Sequence, residues 1–254
     1  MIRHGARRPA PFAYRLEWGH DGLAALAPDC DVVVVVDVLR FSTAVSAAVE
    51  VGARIDPFPW GDPRAAEHAE RVGAALAGRR APGVPSLSPT DLLRSRRGER
   101  IVLPSPNGAA LAVEAAERSV PFVLAGCFRN ATATARRAAE LAHDGVIGLL
   151  AAGERWHQAD GPLRPAVEDL LGAGAVLSAL DPAGSLSPPR GDPEARVARA
   201  AFLDARPLLP EVLATTASGR ELIDRGDADD VETAAVLDAT DLAAQLIDGT
   251  FVGV

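Results

Sequence analysis

The chain contains no lysine, and aromatic residues are scarce. All 26 basic residues are arginines, aromatic residues make up 4% of the 254 residues, and the formal net charge is -8. The chain lacks the basic stripe with interleaved aromatic residues that is typical of nucleic-acid-binding proteins, so we expect no nucleic-acid partner. Because lysine is absent, any charged side chain that binds phosphate must be an arginine.

Cysteines and long apolar segments are also few. Cys30 and Cys127 are too few for a disulfide framework or a cysteine-rich zinc site, which favours a reduced setting. No segment approaches the roughly 18 consecutive apolar residues of a membrane span, and the basic residues 1–11 lack the apolar centre of a signal peptide. We therefore expect a cytoplasmic protein without a membrane partner, preceded by a loose leader over residues 1–11.

Three familiar catalytic and nucleotide-binding motifs are missing. The chain has neither G-x-x-x-x-G-K-S/T nor G-x-G-x-x-G, which bind nucleotide phosphates, and it has no G-x-S-x-G motif of serine hydrolases. Its histidines are scattered without the spacing of metal ligands. These absences leave carboxylates, arginines and helix N-termini as the groups that carry any chemistry.

The most informative segment present is the uninterrupted valine run Val32–Val36, which Asp37 follows directly. Such a β-branched run predicts a strand buried on both faces of a parallel sheet. Ligands bind at the carboxyl ends of these strands, and we expect Ser42 and Thr43 to be N-cap residues of the next helix. With Arg40, these groups suit a metal ion and a phosphate. Alternatively, Asp37 and Arg40 form a structural ion pair.

Strand and helix patterns alternate up to about residue 152, and helices dominate afterwards. This order is typical of an α/β fold with a mostly parallel sheet and a helix-rich C-terminal part. We interpret residues 12–254 as a single unit, with subdomains 12–152 and 153–254 as the alternative. The C-terminal part predicts a helix over 218–225 capped by Ser218, a solvated loop at the acidic run 227–232, and a helix with an edge strand over 237–254.

Polar residues follow several other predicted strands, as Asp37 follows the valine run. They are Ser105, Asn107 and Gly108 at one strand end, Arg129, Asn130 and Thr132 at the next, and Gly153 and Glu154 at a third. Asn107 is predicted to cap a helix that runs to about residue 118. Because the carboxyl ends of parallel strands meet at one edge of a sheet, these groups are candidates for the same site.

The pair Glu168-Asp169 lies in the first turn of a helix predicted over 165–180. The helix dipole favours carboxylates there, which accounts for the pair without any function. In the alternative interpretation, one or both carboxylates join Asp37 around Mg2+, a hard cation that prefers oxygen ligands. Spacing alone leaves both interpretations open.

Several of these blocks together resemble the 2-phosphosulfolactate phosphatase family, over roughly residues 30–254. One departure stands at Ser86-Leu-Ser88-Pro89, where the family has Gly-Asn-Ser-Pro, and it favours a changed substrate. The blocks that carry the resemblance are, in order, Asp37-Val-Leu-Arg40-Phe-Ser42-Thr43-Ala-Val, Ser105-Pro-Asn107-Gly108, Gly126-Cys-Phe-Arg129-Asn130-Ala, Ala152-Gly153-Glu154 with Glu168-Asp169-Leu-Leu-Gly-Ala-Gly174, and Ser218-Gly219-Arg220-Glu-Leu.

The resemblance implies a three-layer α/β/α architecture and a Mg2+-dependent phosphatase. Its substrate would be the phosphate monoester 2-phosphosulfolactate, in coenzyme M biosynthesis, or a related small phosphorylated acid. On this hypothesis Asp37, Glu168 and Asp169 hold the metal or activate water, and the catalytic Arg40 neutralises phosphate oxygens together with Arg129. Asp37 is either a metal ligand or a nucleophile that forms an aspartyl-phosphate. The remaining predicted substrate-binding residues are Ser42, Thr43, Ser105, Asn107, Gly108 and Asn130.

Other functions fit the same scaffold. One alternative is a non-catalytic module that binds small anions, for which a metal adds nothing to thermal stability and no ester is cleaved. Another is a hydrolase or lyase for a different phosphorylated or sulfonated acid. The alanine-rich helices also suit the face of a homodimer.

Overall fold

The computed structural model describes residues 12–81, 83–156, 161–184 and 190–254, so the predicted leader at 1–11 lies outside the described residues. Short 3-10 turns at Phe128–Asn130 and Arg206–Leu208 accompany the regular elements. In chain order these elements are β1 (Tyr14–Trp18), α1 (Gly19–Leu26), β2 (Val32–Val36), α2 (Phe41–Glu50), β3 (Arg54–Phe58), α3 (Pro63–Val72), β4 (Ala75–Leu76), α4 (Pro89–Leu92), β5 (Arg100–Pro104), α5 (Gly108–Glu117), β6 (Phe122–Ala125), α6 (Ala131–Ala142), β7 (Ile147–Ala151), β8 (Glu154–Arg155), β9 (Leu163–Arg164), α7 (Val167–Leu180), α8 (Pro193–Ala205), α9 (Leu209–Thr215), α10 (Ala217–Asp224), α11 (Ala228–Ala234), β10 (Ala244–Ile247) and β11 (Thr250–Gly253).

One large, mostly parallel sheet organises these elements. Its strand order is β1-β7-β2-β6-β10-β11-β3-β5-β4, with parallel pairing inside the groups β1-β7-β2-β6 and β3-β5-β4. The hairpin β10-β11 pairs antiparallel with a strand of each group and joins them. Adjacent strands rotate by roughly 20–25°, so the steps from β2 to β5 add up to on the order of 100°. This twist brings the start of α5, just after β5, to the end of β2, where the two hydrogen-bond.

Helices cover both faces of the sheet, as the valine run predicts. Val32, Val34 and Val36 are buried in a core with α6, α7 and α8, whereas Val33 and Val35 are buried in a second core with α1, α2 and α5. Successive strand side chains point to opposite faces, so one strand supplies both cores. Full burial of each valine contributes about 1.5–3 kcal/mol relative to exposure. The three-layer α/β architecture with a helix-rich C-terminal part is therefore confirmed.

The predicted C-terminal helix and edge strand over 237–254 are wrong. The segment forms the β10-β11 hairpin in the middle of the sheet, where Gln245 pairs with Val252. The turn residues Asp248 and Gly249 both have positive φ, 50° and 79°. Asp-Gly is a strong signal for the two-residue hairpin turn whose twist matches that of its strands. The local turn chemistry therefore outweighs the helical pattern before it.

The cap of α10 is Thr216 rather than the predicted Ser218. The hydroxyl of Thr216 accepts a 2.9 Å hydrogen bond from Gly219 N–H, whereas Ser218 lies inside the first turn. We expect Thr216→Ala to lower the free energy of unfolding by about 1 kcal/mol, because that N–H loses its partner. Thermal unfolding should show a decrease of roughly 2–4 °C. Ser218→Ala is the control, and a larger decrease for it would contradict this cap.

Two other sequence expectations have structural counterparts. In the part of the chain that the structure describes, no helix is both long enough and apolar enough to cross a bilayer. Cys30 and Cys127 are both buried. Burial raises the pKa of the Cys127 thiol, so this residue is a poor nucleophile, in line with its interpretation as a small core residue.

Candidate active site

Asp37 lies at the carboxyl end of β2 and is held by backbone donors from two helices. Its Oδ1 accepts a hydrogen bond from Phe41 N–H at 3.2 Å, in the first turn of α2, and its Oδ2 accepts one from Gly108 N–H at 2.9 Å, at the start of α5. Only 6% of the residue is exposed. A buried carboxylate with two aligned donors has a fixed position, which a reactive or ligating group requires.

Gly108 is required for this approach. A Cβ atom at Gly108 would lie 2.7 Å from Oδ2 of Asp37 and would also contact the Phe41 ring. Only glycine therefore lets the start of α5 reach the end of β2. Before it, Asn107 occupies the N-cap position as predicted, but its side chain makes no capping bond. Ser105 accepts a 3.3 Å hydrogen bond from Asn107 N–H and thereby shapes the turn.

Ser42 and Thr43 hold the turn between β2 and α2 together. Ser42 Oγ donates to the carbonyl of Val35 at 2.9 Å and accepts from Asp37 N–H at 3.0 Å, and Thr43 Oγ1 donates to the carbonyl of Val38 at 2.6 Å. Their prediction as N-caps is wrong, because both lie inside α2 and Arg40 occupies the N-cap position. Both hydroxyls thus act on the backbone that positions Asp37.

Glu168 and Asp169, in the first turn of α7, lie beside Asp37. Asp169 Oδ1 accepts from Val38 N–H and its Oδ2 from Gly153 N–H, both at 2.8 Å, so Asp169 ties the ends of β2 and β7 together. Glu168 is 2% exposed, and within the described residues it forms no hydrogen bond or ion pair. The structure therefore brings together the three carboxylates that the sequence singled out.

The carboxylates repel one another at close range. The pKa of Asp37 is raised to about 7, mainly by burial and then by the negative charges of Glu154 and Glu168, while the two backbone donors oppose the rise. Burial also raises the pKa of Asp169 well above its usual value, with Asp37 and Glu168 as the next causes. Such a cluster favours either a shared proton or a bound cation.

Glu154 also belongs to this cluster; the sequence analysis makes it a candidate at a strand end but gives it no catalytic or metal-binding role. It follows β7 closely, and its Oε2 accepts a 3.1 Å hydrogen bond from Asn107 Nδ2. Burial is the main cause that raises its pKa, while Asn107 and the charge of Arg164 lower it. Its signal in the sequence is its place after a strand, the same signal that identifies Asp37.

Arg40 does not pair with Asp37, so the alternative of a structural ion pair between these two residues is wrong. Its Nη1 donates to Asp230 at 2.7 Å and to Asp227 at 3.0 Å. Asp230 is fully buried in α11 and also accepts from Ser88 Oγ. The prediction of a solvated loop for residues 227–232 is therefore wrong. Ser88 matches the serine of the family pattern, whereas Ser86 departs from it. Ser86 Oγ accepts a 3.1 Å hydrogen bond from Ser88 N–H, so this departure reaches Arg40 only through Ser88 and Asp230.

Arg129 and Asn130 lie after β6 but contact other groups. Arg129 Nη2 forms a 2.6 Å ion pair with Glu50, and its Nη1 donates to the carbonyl of Thr233. Asn130 accepts from Cys127 N–H at 2.9 Å, and its amide donates to the carbonyl of Ala125 at 3.0 Å. Asn130 thus holds its own turn, and the structure does not bring these two residues into contact with the carboxylates.

The donor chemistry of the cluster suits a hard divalent cation. Several carboxylates share buried negative charge, and oxygen ligands of this kind are those that Mg2+ prefers. Among the described residues, however, no three acidic, histidine or cysteine side chains already converge as metal ligands do. Ligation therefore requires side-chain rotations, which the unbonded Glu168 permits, and the magnesium assignment stays a prediction.

Comparison with known proteins agrees with this geometry. The model of the 2-phosphosulpholactate phosphatase family matches residues 23–249, which include every carboxylate of the cluster. The chain belongs to this family. Membership makes it an enzyme of the phosphoric monoester hydrolase class. A relative from Thermus thermophilus, described as a probable 2-phosphosulfolactate phosphatase, is 32% identical over 180 residues, which cover 68% of this chain and 72% of the relative.

Proposed function

We propose that this enzyme hydrolyses the phosphate monoester of 2-phosphosulfolactate, or of a closely related small phosphorylated acid, and that it requires Mg2+. The observation that carries the proposal is the buried carboxylate cluster at the ends of β2 and β7, in which Asp37, Glu168 and Asp169 repel one another. Family membership supports the reaction class, and the name of the Thermus relative supports the substrate.

Asp37, Glu168 and Asp169 would hold the metal. When bound, Mg2+ supplies positive charge that stabilises the oxygens of the transferring phosphoryl group. Both oxygens of Asp37 already accept a backbone N–H, which favours a role as a ligand rather than as a nucleophile that must align with phosphorus. Glu154 has a raised pKa and is only partly buried, so it is suited to exchange a proton with water or the leaving oxygen.

The substrate range is the part of the proposal that the altered loop affects. Ser86, which departs from the family pattern, accepts a hydrogen bond from Ser88 N–H, and Ser88 in turn donates to Asp230, the partner of Arg40. The departure can therefore change how Arg40 is held, while the carboxylate cluster keeps its backbone donors. This is why related phosphorylated acids belong in the test beside 2-phosphosulfolactate.

Phosphate release tests the proposal directly. We expect Mg2+-dependent release from 2-phosphosulfolactate or phospholactate, with slower release from phenyl phosphate, and a loss of at least about 100-fold in the presence of EDTA, since the metal supplies several kcal/mol of charge stabilisation. Undiminished release in EDTA would contradict the metal requirement alone. Absence of release from every ester, with or without Mg2+, would contradict the phosphatase and favour a module that binds small anions.

A further inference from the structure

Arg164 lies next to the carboxylate cluster, although the sequence did not indicate this residue as part of the site. It lies in β9, directly opposite Glu154 in the antiparallel pair β8-β9. Its charge lowers the pKa of Glu154 against the effect of burial. Its Nη2 donates to Ser218 Oγ at 3.3 Å, and its Cζ lies 5.8 Å from the centre of the Trp156 ring. These contacts hold the guanidinium beside the cluster.

The arginines first expected to bind the substrate already have carboxylate partners. Arg40 donates to Asp227 and Asp230, and Arg129 forms its ion pair with Glu50. Redirecting Arg40 toward a substrate would leave the buried Asp230 without its charged partner, which is costly, and redirecting Arg129 would break its ion pair with the partly exposed Glu50. A phosphorylated acid carries several negative charges, so the site needs another cation for the part of the substrate outside the metal.

Arg164 meets this need. Among the described residues it forms no ion pair with a carboxylate within 4.0 Å, and its one hydrogen bond there goes to a neutral hydroxyl. A guanidinium offers five N–H donors in a planar fork that fits carboxylate, sulfonate and phosphate oxygens. Within the described residues, four of its five N–H donors therefore have no partner and could bind an anion.

The position of Arg164 indicates which anion it meets. Arg164 lies across the β8-β9 pair from Glu154, and among the described residues it has no hydrogen bond or ion pair with Asp37, Glu168 or Asp169. A phosphoryl group bound at Asp37, Glu168 and Asp169 would therefore leave Arg164 beside the rest of the substrate. We infer that Arg164 binds the carboxylate or sulfonate group that the substrate carries next to its phosphate ester, and so determines specificity. This inference rests on the proposed function.

Steady-state kinetics of Arg164→Gln test the inference. We expect KM for 2-phosphosulfolactate to rise by about 10- to 100-fold, as for the loss of a charge-assisted hydrogen bond, while kcat/KM for phenyl phosphate changes less than about threefold. Arg164→Lys keeps the positive charge but not the planar guanidinium, so it should raise KM less. This variant also tests the inference if Arg164→Gln does not fold. An equal loss with both esters, or no loss with either, would overturn the inference.

Arg155→Gln is the matched control. Arg155 is the neighbour of Glu154 in β8, and successive residues of a strand point to opposite faces. Its guanidinium donates to the carbonyl of Gly161 at 3.2 Å instead. The control removes the same charge from the same hairpin, so KM for both esters should stay within about threefold of wild type. A rise in KM equal to that of Arg164→Gln would mean that the general charge of the hairpin, and not Arg164, attracts the substrate.

Calorimetric binding separates this inference from the phosphatase reaction. Sulfolactate is the product that remains when water cleaves the ester to inorganic phosphate, and it still carries both acid groups. We expect it to bind wild type at least tenfold more tightly than Arg164→Gln. If lactate, which has only the carboxylate, shows the same difference in affinity, Arg164 binds the carboxylate. If only sulfolactate shows it, Arg164 binds the sulfonate.

Equal binding of sulfolactate by wild type and Arg164→Gln, or no binding to wild type, would overturn the inference even if phosphate release succeeds. An Arg164-dependent difference without any phosphate release would contradict the proposed function alone.

Discussion

Asparagine in place of Asp37 is expected to lower kcat/KM for phosphate release by about 10³-fold, a loss of the size seen when electrostatic stabilisation of a transition state is removed. The substitution keeps the shape of the side chain but removes its charge. Its amide group must also face either Phe41 N–H or Gly108 N–H, both of which donate to Asp37 in the wild type. The measurement is phosphate release at saturating Mg2+ with the best ester found.

Asp192→Asn provides the control for this substitution. Asp192 is a similarly buried carboxylate that accepts from two backbone groups, Ala195 N–H at 2.8 Å and Leu16 N–H at 3.2 Å, but it caps α8 outside the cluster. The same change of charge and contacts there should reduce thermal stability while leaving kcat/KM within about threefold of wild type. Full activity of Asp37→Asn would mean that the charge of Asp37 has no role in the reaction.

The centre of the site follows from the sequence because its signals are local. Five consecutive valines identify a strand with two buried faces, and Asp37 stands at its carboxyl end, where ligands bind in α/β folds. Glu168 and Asp169 are recognisable as acidic residues in a first helical turn. Glu154 has a similar place after β7, so the rule that identifies Asp37 identifies it too when applied to each strand end.

The partners of the arginines do not follow from the sequence, because they lie far away along the chain. Arg40 and Asp230 are separated by 190 residues, and Arg129 and Glu50 by 79 residues. The packing of α11 against α4, together with the contact of Asp230 with Arg40, decides that Asp230 is buried and not solvated. The sequence does not indicate the position of Arg164 either, because only the pairing of β8 with β9 places it opposite Glu154.

In the absence of metal, the free energy of unfolding should decrease as the pH rises from about 5 to 8. The pKa of Asp37 is raised from its usual 3.8 to about 7, mainly by burial and then by Glu154. Between these values the folded protein binds a proton that the unfolded chain does not, so protonation stabilises the folded state. This contribution is fully present below pH 3.8 and is lost as the pH rises through about 7. The whole shift corresponds to on the order of 4 kcal/mol, of which about 3 kcal/mol is lost above pH 5.

Magnesium should reverse this trend, because the cation replaces the proton as the neutralising charge. Mg2+ must compete with the proton for Asp37 at pH 5 but not at pH 8, so it should raise the melting temperature by several degrees more at pH 8. Thermal unfolding at both pH values, in EDTA and in saturating Mg2+, measures the effect. Asp37→Asn should flatten the pH dependence in EDTA and reduce the effect of Mg2+ at pH 8. A Mg2+ effect equal at the two pH values, or unchanged in Asp37→Asn, would mean that the cation binds elsewhere than at the carboxylates after β2.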